Sequence, residues 1–197
     1  MQKINYDALT EAALGSAGSV LLHCCCAPCP TSVTERVIKT VKPVLYFYNL
    51  NIYPENEYKK RLHELEKLAA NFSLELIAED YDEGEFLSAV GGLEGEREGG
   101  ARCPVCFKLR LDKPAERAKK EGLKAFCSTL TVSPHKNAAI INAIGEEIAA
   151  ARNIAWIPSD FKKRDGYLRS CRMCREMDIY RQNYCGCRFS LTSEATE

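Results

Sequence analysis

Short apolar runs along this chain alternate with stretches whose apolar residues recur at helical spacing. Val20-Leu21-Leu22-His23 is the first such run, and it ends in a cysteine-rich loop. Pro30 then opens a helical stretch, Thr31 to Lys39, because a proline at a helix start gives up an amide that has no intrahelical partner anyway. Val44-Leu45-Tyr46-Phe47-Tyr48 is β-branched and aromatic, the composition of a buried strand. After a polar loop, Asn49 to Asn56, the residues Leu62, Leu65, Leu68 and Ala69 predict a helix over Glu57 to Asn71. Leu74 to Ala78 reads as a third strand, ending near Asp80 and Asp82. Gly84 to Arg102 is rich in Gly and Glu, which predicts a mobile loop after a brief helical turn at Phe86 to Val90. A further helix starts at Cys103, with an interruption expected near Pro114. Ala125 to Leu130 reads as a fourth strand, Asn137 to Arg152 as a helix and Ile154 to Ile157 as a fifth strand. Basic helical sequence then runs to Tyr184.

Strands that alternate with helices predict an α/β fold: a mostly parallel five-stranded sheet with helices on both faces. Ligands of such sheets bind outside the carboxyl ends of the strands. Cys24–Cys29, Asn49–Asn56, Asp80/Asp82 and the Ser133-Pro134-His135 turn all follow expected strands, so these four segments should converge on one edge.

The 197 residues fit a single domain, residues 1–197, long enough to bury a core without disulfide staples. Lys+Arg and Asp+Glu both total 27, so overall charge says nothing about a nucleic-acid partner. Locally, Lys162, Lys163, Arg164, Arg169, Arg172, Arg175 and Arg181 make the C-terminal stretch basic. This is either a solvated helix face or a phosphate-binding one. Residues 1–20 carry Asp7 and Glu11 and lack the long apolar run of a secretory signal, and no segment approaches a membrane span. A cytoplasmic setting with reduced thiols and no membrane partner is therefore expected. There, eleven cysteines favour metal binding or catalysis over structural disulfides.

Cys24, Cys25, Cys26 and Cys29 crowd the loop HCCCAPCP, which stands where a nucleotide-binding domain would carry a glycine-rich phosphate loop. Amides at the following helix start favour thiolates, the forms that ligate metal. Cys25, Cys26 and Cys29 therefore read as metal ligands rather than buried structural thiols. Side chains diverge along a run of three, so Cys24 is either a ligand or a bystander. Cys103-Pro104-Val105-Cys106 brings two more sulfurs to one side of a turn. A zinc site or an iron–sulfur cluster each needs about four ligands, and the surplus suggests a cluster plus something else. Cys185-Gly186-Cys187 is too tight for an ordinary chelate. A disulfide across one Gly would be strained and readily reduced, so the pair reads as a redox-cycling dithiol, with metal ligation or packing as alternatives. Cys171 and Cys174 share a helix face among arginines and read most simply as surface thiols, and Cys127 as a small core residue. His23 and His63 read as structural; His135 and Asp82 are candidates to face the site.

The segments LLHCCCAPC, FYNLNIYPENEYKKR, RCPVCFKLRL, CSTLTVSPHKN and YRQNYCGCRFS, in this order, resemble the signatures of the QueH-type epoxyqueuosine reductases. The resemblance implies a HUP-like, Rossmann-related domain whose basic helical C-terminal segment, about residues 161–190, completes the active site. It implies the last step of queuosine biosynthesis: two-electron removal of oxygen from epoxyqueuosine in the anticodon of a tRNA, by a cobalamin-independent oxidoreductase. It further implies a [4Fe-4S] cluster, a second metal ion expected to be iron, and an unidentified electron donor. Carried over by position, Cys25, Cys26, Cys29, Cys103 and Cys106 form the metal-binding set, with Cys25, Cys26, Cys103 and Cys106 toward the cluster and Asp82 as a non-thiolate ligand. Cys185 and Cys187 match the redox pair; His135 or Tyr184 is the expected proton donor, and Tyr48 or Tyr53 the expected stacking partner of the base. Cys171 and Cys174 stand outside the family pattern. Competing readings are a zinc-stabilised RNA-binding module and a thiol–disulfide oxidoreductase. An ATP-dependent tRNA-thiolating enzyme is disfavoured, since no SGGxDS-like loop follows the first strand.

Overall fold

A computed structural model describes residues 4–191. Its five strands are β1 (Val20–Cys24), β2 (Val44–Phe47), β3 (Leu76–Ala78), β4 (Ala125–Ser128) and β5 (Ala155–Trp156). They form one sheet in the order β3-β2-β1-β4-β5, and every pairing is parallel. The central strand β1 is buried along its whole length, which is why it reads as an unbroken apolar run rather than an alternating one.

The helices are α1 (Tyr6–Ala17), α2 (Pro28–Val37), α3 (Glu55–Asn71), α4 (Gly84–Ala89), α5 (Arg102–Lys120), α6 (Ala138–Arg152) and α7 (Gly166–Glu176). They surround the sheet, with α2 packed on α7 and α5 packed on α6. The chain moves outward from β1 to β3, then returns to β4 on the other side of β1. The crevice outside the carboxyl ends of β1 and β4 is therefore the point where the strand order reverses, the usual ligand position in such folds.

The structure departs from the sequence expectations at four places. Helix α1 has no obvious apolar stripe because it buries only Thr10 and Leu14. Helix α5 runs unbroken through Pro114, correcting the expected interruption; Phe107, Leu111, Ala115 and Ala118 are buried on either side of the proline and hold the helix against the sheet. β4 ends at Ser128, and Thr129–Val132 is a 3-10 turn. The basic C-terminal stretch is helical only as far as Glu176, with one more 3-10 turn at Arg188–Ser190.

The entry to α7 depends on a glycine. Arg164 and Asp165 take left-handed φ values of 50° and 58°, and a Cβ on Gly166 would lie 1.9 Å from the Phe161 carbonyl oxygen. Among the described residues no helix is long and apolar enough to cross a membrane.

Candidate metal centre and its cavity

Where β1 ends, the four cysteines of the loop part company. Cys24 still belongs to the strand: it is buried, and its thiol donates to the Leu22 carbonyl at 3.3 Å. It is a bystander. Cys25, Cys26 and Cys29 lie where the chain leaves the sheet and enters α2, whose first turn contains Pro28 and Pro30 at little hydrogen-bonding cost. Their sulfurs all lie within 4.8 Å of one another, with Cys25–Cys26 at 3.5 Å and Cys26–Cys29 at 3.7 Å. All eleven thiols are free.

The trio favours one anion. Cys25 is held well below the ordinary thiol range because Cys26 and Cys29 donate to it, with Arg110 and Lys136 adding attraction. Cys26 is pushed up to about 12, chiefly because it is the donor to Cys25. Cys26 also receives the Gln182 amide, Nε2 to Sγ, at 3.1 Å.

A second thiol group comes from α5 and the C-terminal turn. Cys106 is buried and pushed up to about 12, first by burial, with Arg110 opposing and Cys185 and Cys187 nearby. Cys103, half-buried, accepts the Gly99 N–H at 3.2 Å. Cys187 is buried and meets the Ser190 hydroxyl at 3.5 Å. Among the described residues, the close metal-binding constellation is the Cys25–Cys26–Cys29 trio, and it does not include Cys103 or Cys106.

Cys185 joins the two groups. It lines a cavity of about 420 Å³ together with Cys25, Cys29, Arg110, Lys136 and Tyr184. It also lines a smaller cavity of about 70 Å³ with Cys103, Phe107, His135 and Lys136. His135 lies at the rim of both, exposed.

Two buried arginines support this arrangement. Arg110 donates through Nη2 to Asn49 Oδ1 at 2.7 Å, and Asn49 Nδ2 donates to the Cys24 carbonyl at 3.0 Å. Its Nε has no partner, and no carboxylate pairs with it among the described residues. The charge that faces it is sulfur: Cys106, Cys25 and Cys185. A buried cation without a carboxylate favours thiolates around it. Arg61 pairs with Glu57 at 2.7 Å and donates to the Cys185 carbonyl at 3.1 Å, so it suspends the Cys-Gly-Cys turn. Gly186 has φ 125°, and a Cβ there would lie 2.9 Å from Arg61 Nη1. The position accordingly suits glycine alone.

His23 is structural. It is fully buried; Nε2 donates to the Tyr48 carbonyl at 3.0 Å and Nδ1 accepts from Ser128 at 2.8 Å, a tautomer assigned from its partners. Burial first, then Arg110, lowers its pKa to about 3, so it is neutral.

Other expected residues fall elsewhere. Asp82 is exposed, accepts the Gly84 N–H at 2.8 Å at the start of α4, and lies outside both cavities. Its carboxylate is engaged by the neighbouring backbone, away from the residues that line the cavities. Tyr48 is buried with its hydroxyl toward Glu85, and Tyr53 lies under the Arg188 guanidinium, so neither lines the cavity. Tyr184 does, but its hydroxyl is engaged with the Tyr53 carbonyl at 2.5 Å. Cys127 is in the core, and Cys174 is buried with Arg181 4.0 Å away.

Arg61, Arg110, Lys136 and Gln182 were not singled out by sequence reasoning. For Arg110 a signal existed: four residues after Cys106, it falls on the same helix face.

The profile of the family described as Epoxyqueuosine reductase QueH matches residues 20–193. The Epoxyqueuosine reductase QueH of Streptococcus pyogenes is 41% identical over 201 residues, covering 96% of this chain and 79% of that protein. Its namesake in Staphylococcus aureus is 38% identical, covering 100% of this chain and 88% of the relative. For that of Thermotoga maritima the identity is 37%, with 88% and 91% covered. Among solved structures, the U34-tRNA thiolase NcsA from Methanococcus maripaludis with its [4Fe-4S] cluster superposes with a TM-score of 0.57 at 12% identity, covering 95% of this chain and 68% of that chain. At that identity the likeness speaks for the fold alone. By profile and by relatives, this chain belongs to the epoxyqueuosine reductase QueH family.

Proposed function

We propose that the protein reduces epoxyqueuosine in the anticodon of a tRNA to queuosine, without cobalamin, at the cavity where Cys25, Cys29 and Cys185 meet. The observation that carries this reading is three thiols within 4.8 Å of one another, two of which, Cys25 and Cys29, line a cavity that a fourth, redox-type cysteine also lines.

The donor set fits an iron–sulfur cluster: clustered thiols, one of them held as thiolate, beside a buried guanidinium that lacks a carboxylate. Cys25, Cys26, Cys29, Cys103 and Cys106 would together hold a [4Fe-4S] cluster and a second iron. When bound, these metals supply single-electron transfer and Lewis acidity toward an epoxide oxygen.

The chain's own residues do the rest. Turning an epoxide into an alkene consumes two electrons and two protons and releases water. Oxidation of the Cys185/Cys187 dithiol to a disulfide yields two electrons and two protons, so the pair balances one turnover; an external donor then reduces it again. His135, at the rim, is placed to act on the departing oxygen. Tyr184 forms the wall, since its hydroxyl is already donated to a carbonyl. Lys136 and Arg110 keep the cavity cationic and favour the anionic sulfurs. The cavity size suits a single nucleoside turned out of its loop. A cytoplasmic setting suits eleven free thiols.

The test is an anaerobic preparation analysed for iron and sulfide by visible and EPR spectroscopy, with turnover of epoxyqueuosine-containing tRNA. About four sulfides and more than about four irons per chain, with queuosine formed, are expected. Zinc alone, colourless and inactive, would establish the RNA-binding module instead.

A further inference from the structure

On the far side of α7 from the cavity lies a groove of about 310 Å³ between the second half of α2 and the entry to α7. Ser32, Arg36, Lys39, Lys163, Arg164 and Arg169 line it. Its two carboxylates are already engaged: Glu11 holds Arg36 at 2.7 Å, and Glu35 holds Arg169 at 2.6 Å. Lys39 and Lys163 are exposed and make no ion pair among the described residues, and Arg164 is only 3.4 Å from Asp7 at its nearest. Glu35 is lowered first by Arg169, with Lys39 and Arg172 adding, the sign of a surplus of positive charge.

One further feature points to an anion. Ser32 lines the groove while only 8% exposed, and its hydroxyl has no hydrogen-bond partner. A buried hydroxyl left alone costs free energy that a phosphate oxygen would recover.

The groove is placed for a polymer. Cys29 lines the cavity and Ser32, one turn along α2 and roughly 4.5 Å further by helical rise, lines the groove. Tyr167 and Ser170 of α7 face the cavity, and Gly166 and Arg169 face the groove.

We propose that this groove is a second binding site, which holds a backbone phosphodiester of the RNA whose modified nucleoside occupies the cavity. The inference rests on the tRNA reading above. Lys39, Lys163 and Arg164 neutralise the phosphate, and the Ser32 hydroxyl orients it. These contacts carry no base information, so they set affinity and register rather than specificity.

The test is binding of an unmodified anticodon stem-loop RNA to the metal-loaded protein, by fluorescence anisotropy across a KCl series. Lys39→Gln/Lys163→Gln should weaken binding about 10-fold and lower the slope of log Kd against log salt by about 1, with KM raised and kcat unchanged. Ser32→Ala, with iron content and spectrum unaltered, should weaken binding in the same direction. Lys124→Gln, at the opposite end of the sheet before β4, should leave Kd and slope alone. An unchanged slope in the double variant, or an equal loss in Lys124→Gln, would overturn the groove while leaving the reductase reading intact. Wild-type protein that neither binds the stem-loop nor turns over tRNA would instead overturn the reading on which the groove depends.

Discussion

Cys25, Cys26 and Cys29 come from one loop and one helix start, whereas Cys103, Cys106, Cys185 and Cys187 are assembled from α5 and a distant C-terminal turn. In the first group the distances follow from local backbone geometry, so the sulfurs lie within 4.8 Å of one another. In the second, nothing local fixes the spacing between the two pairs. Tertiary contacts do it: Arg61 on the Cys185 carbonyl, the Tyr53 N–H on the Gly186 carbonyl at 2.8 Å, and Arg110 beside Cys106. A short-range motif thus gives a preformed ligand set, and a long-range one gives a set that depends on the packing of the whole domain.

The largest effects should come from removing one thiol of each group. Cys26→Ala is expected to abolish both cluster absorbance and turnover, and Cys185→Ala to abolish turnover while the absorbance survives. If Cys185→Ala also bleached the protein, Cys185 would have to be counted among the metal ligands. Arg110→Met should come next. It removes a buried charge that faces the sulfurs of both groups, and about 3 kcal/mol of stability is expected to go from the metal-loaded protein in urea denaturation. An unchanged midpoint would show that the sulfurs need no counter-charge.

Gly186→Ala strikes the long-range group alone. With φ at 125° and Arg61 Nη1 2.9 Å from the new Cβ, a cost of about 1–3 kcal/mol and lowered turnover are expected, with cluster absorbance retained. pH gives a smaller, graded effect on the frame beneath the first group. His23 has its pKa lowered to about 3 by burial, against 6.5 when free. Its neutral form is the folded form, so its contribution is complete above pH 6.5 and is lost as pH falls from there toward about 3. The expected slope is about 1.4 kcal/mol per pH unit, and His23→Gln should flatten it in urea titrations of metal-free protein. Least of all, Cys24→Ala should cost about 1 kcal/mol in thermal denaturation and leave colour and turnover intact. Bleaching in that variant would show that the whole run of three ligates.

Most of this contrast can be read from the chain. β1, β2 and β4 are legible because central parallel strands are apolar on both faces, and the thiol trio because its members are neighbours in sequence. The Cys185/Cys187 pair was legible as a motif, yet its place beside Cys106 is a product of packing. The burial of Arg110 and Lys136 among sulfurs stayed hidden for a physical reason. A cationic side chain on a helix or turn looks solvated in sequence, and only the buried sulfurs around it reveal otherwise. Asp82 follows a strand as a ligand should, and its place at the surface, engaged by the Gly84 amide, was not legible in the sequence. Pro114 shows that a local breaker yields to tertiary burial.

The suspension of the Cys-Gly-Cys turn from Arg61 has a consequence for the order of events at birth of the molecule. A chain emerging from its N-terminus completes the Cys25–Cys29 loop, β2 and α3 long before Cys185 exists. Until Gly186 docks, the wall of the cavity that contains Tyr184 and Cys185 is missing, and the thiol trio faces open solvent. A segment made later therefore supplies the wall that encloses the side of the trio facing the cavity.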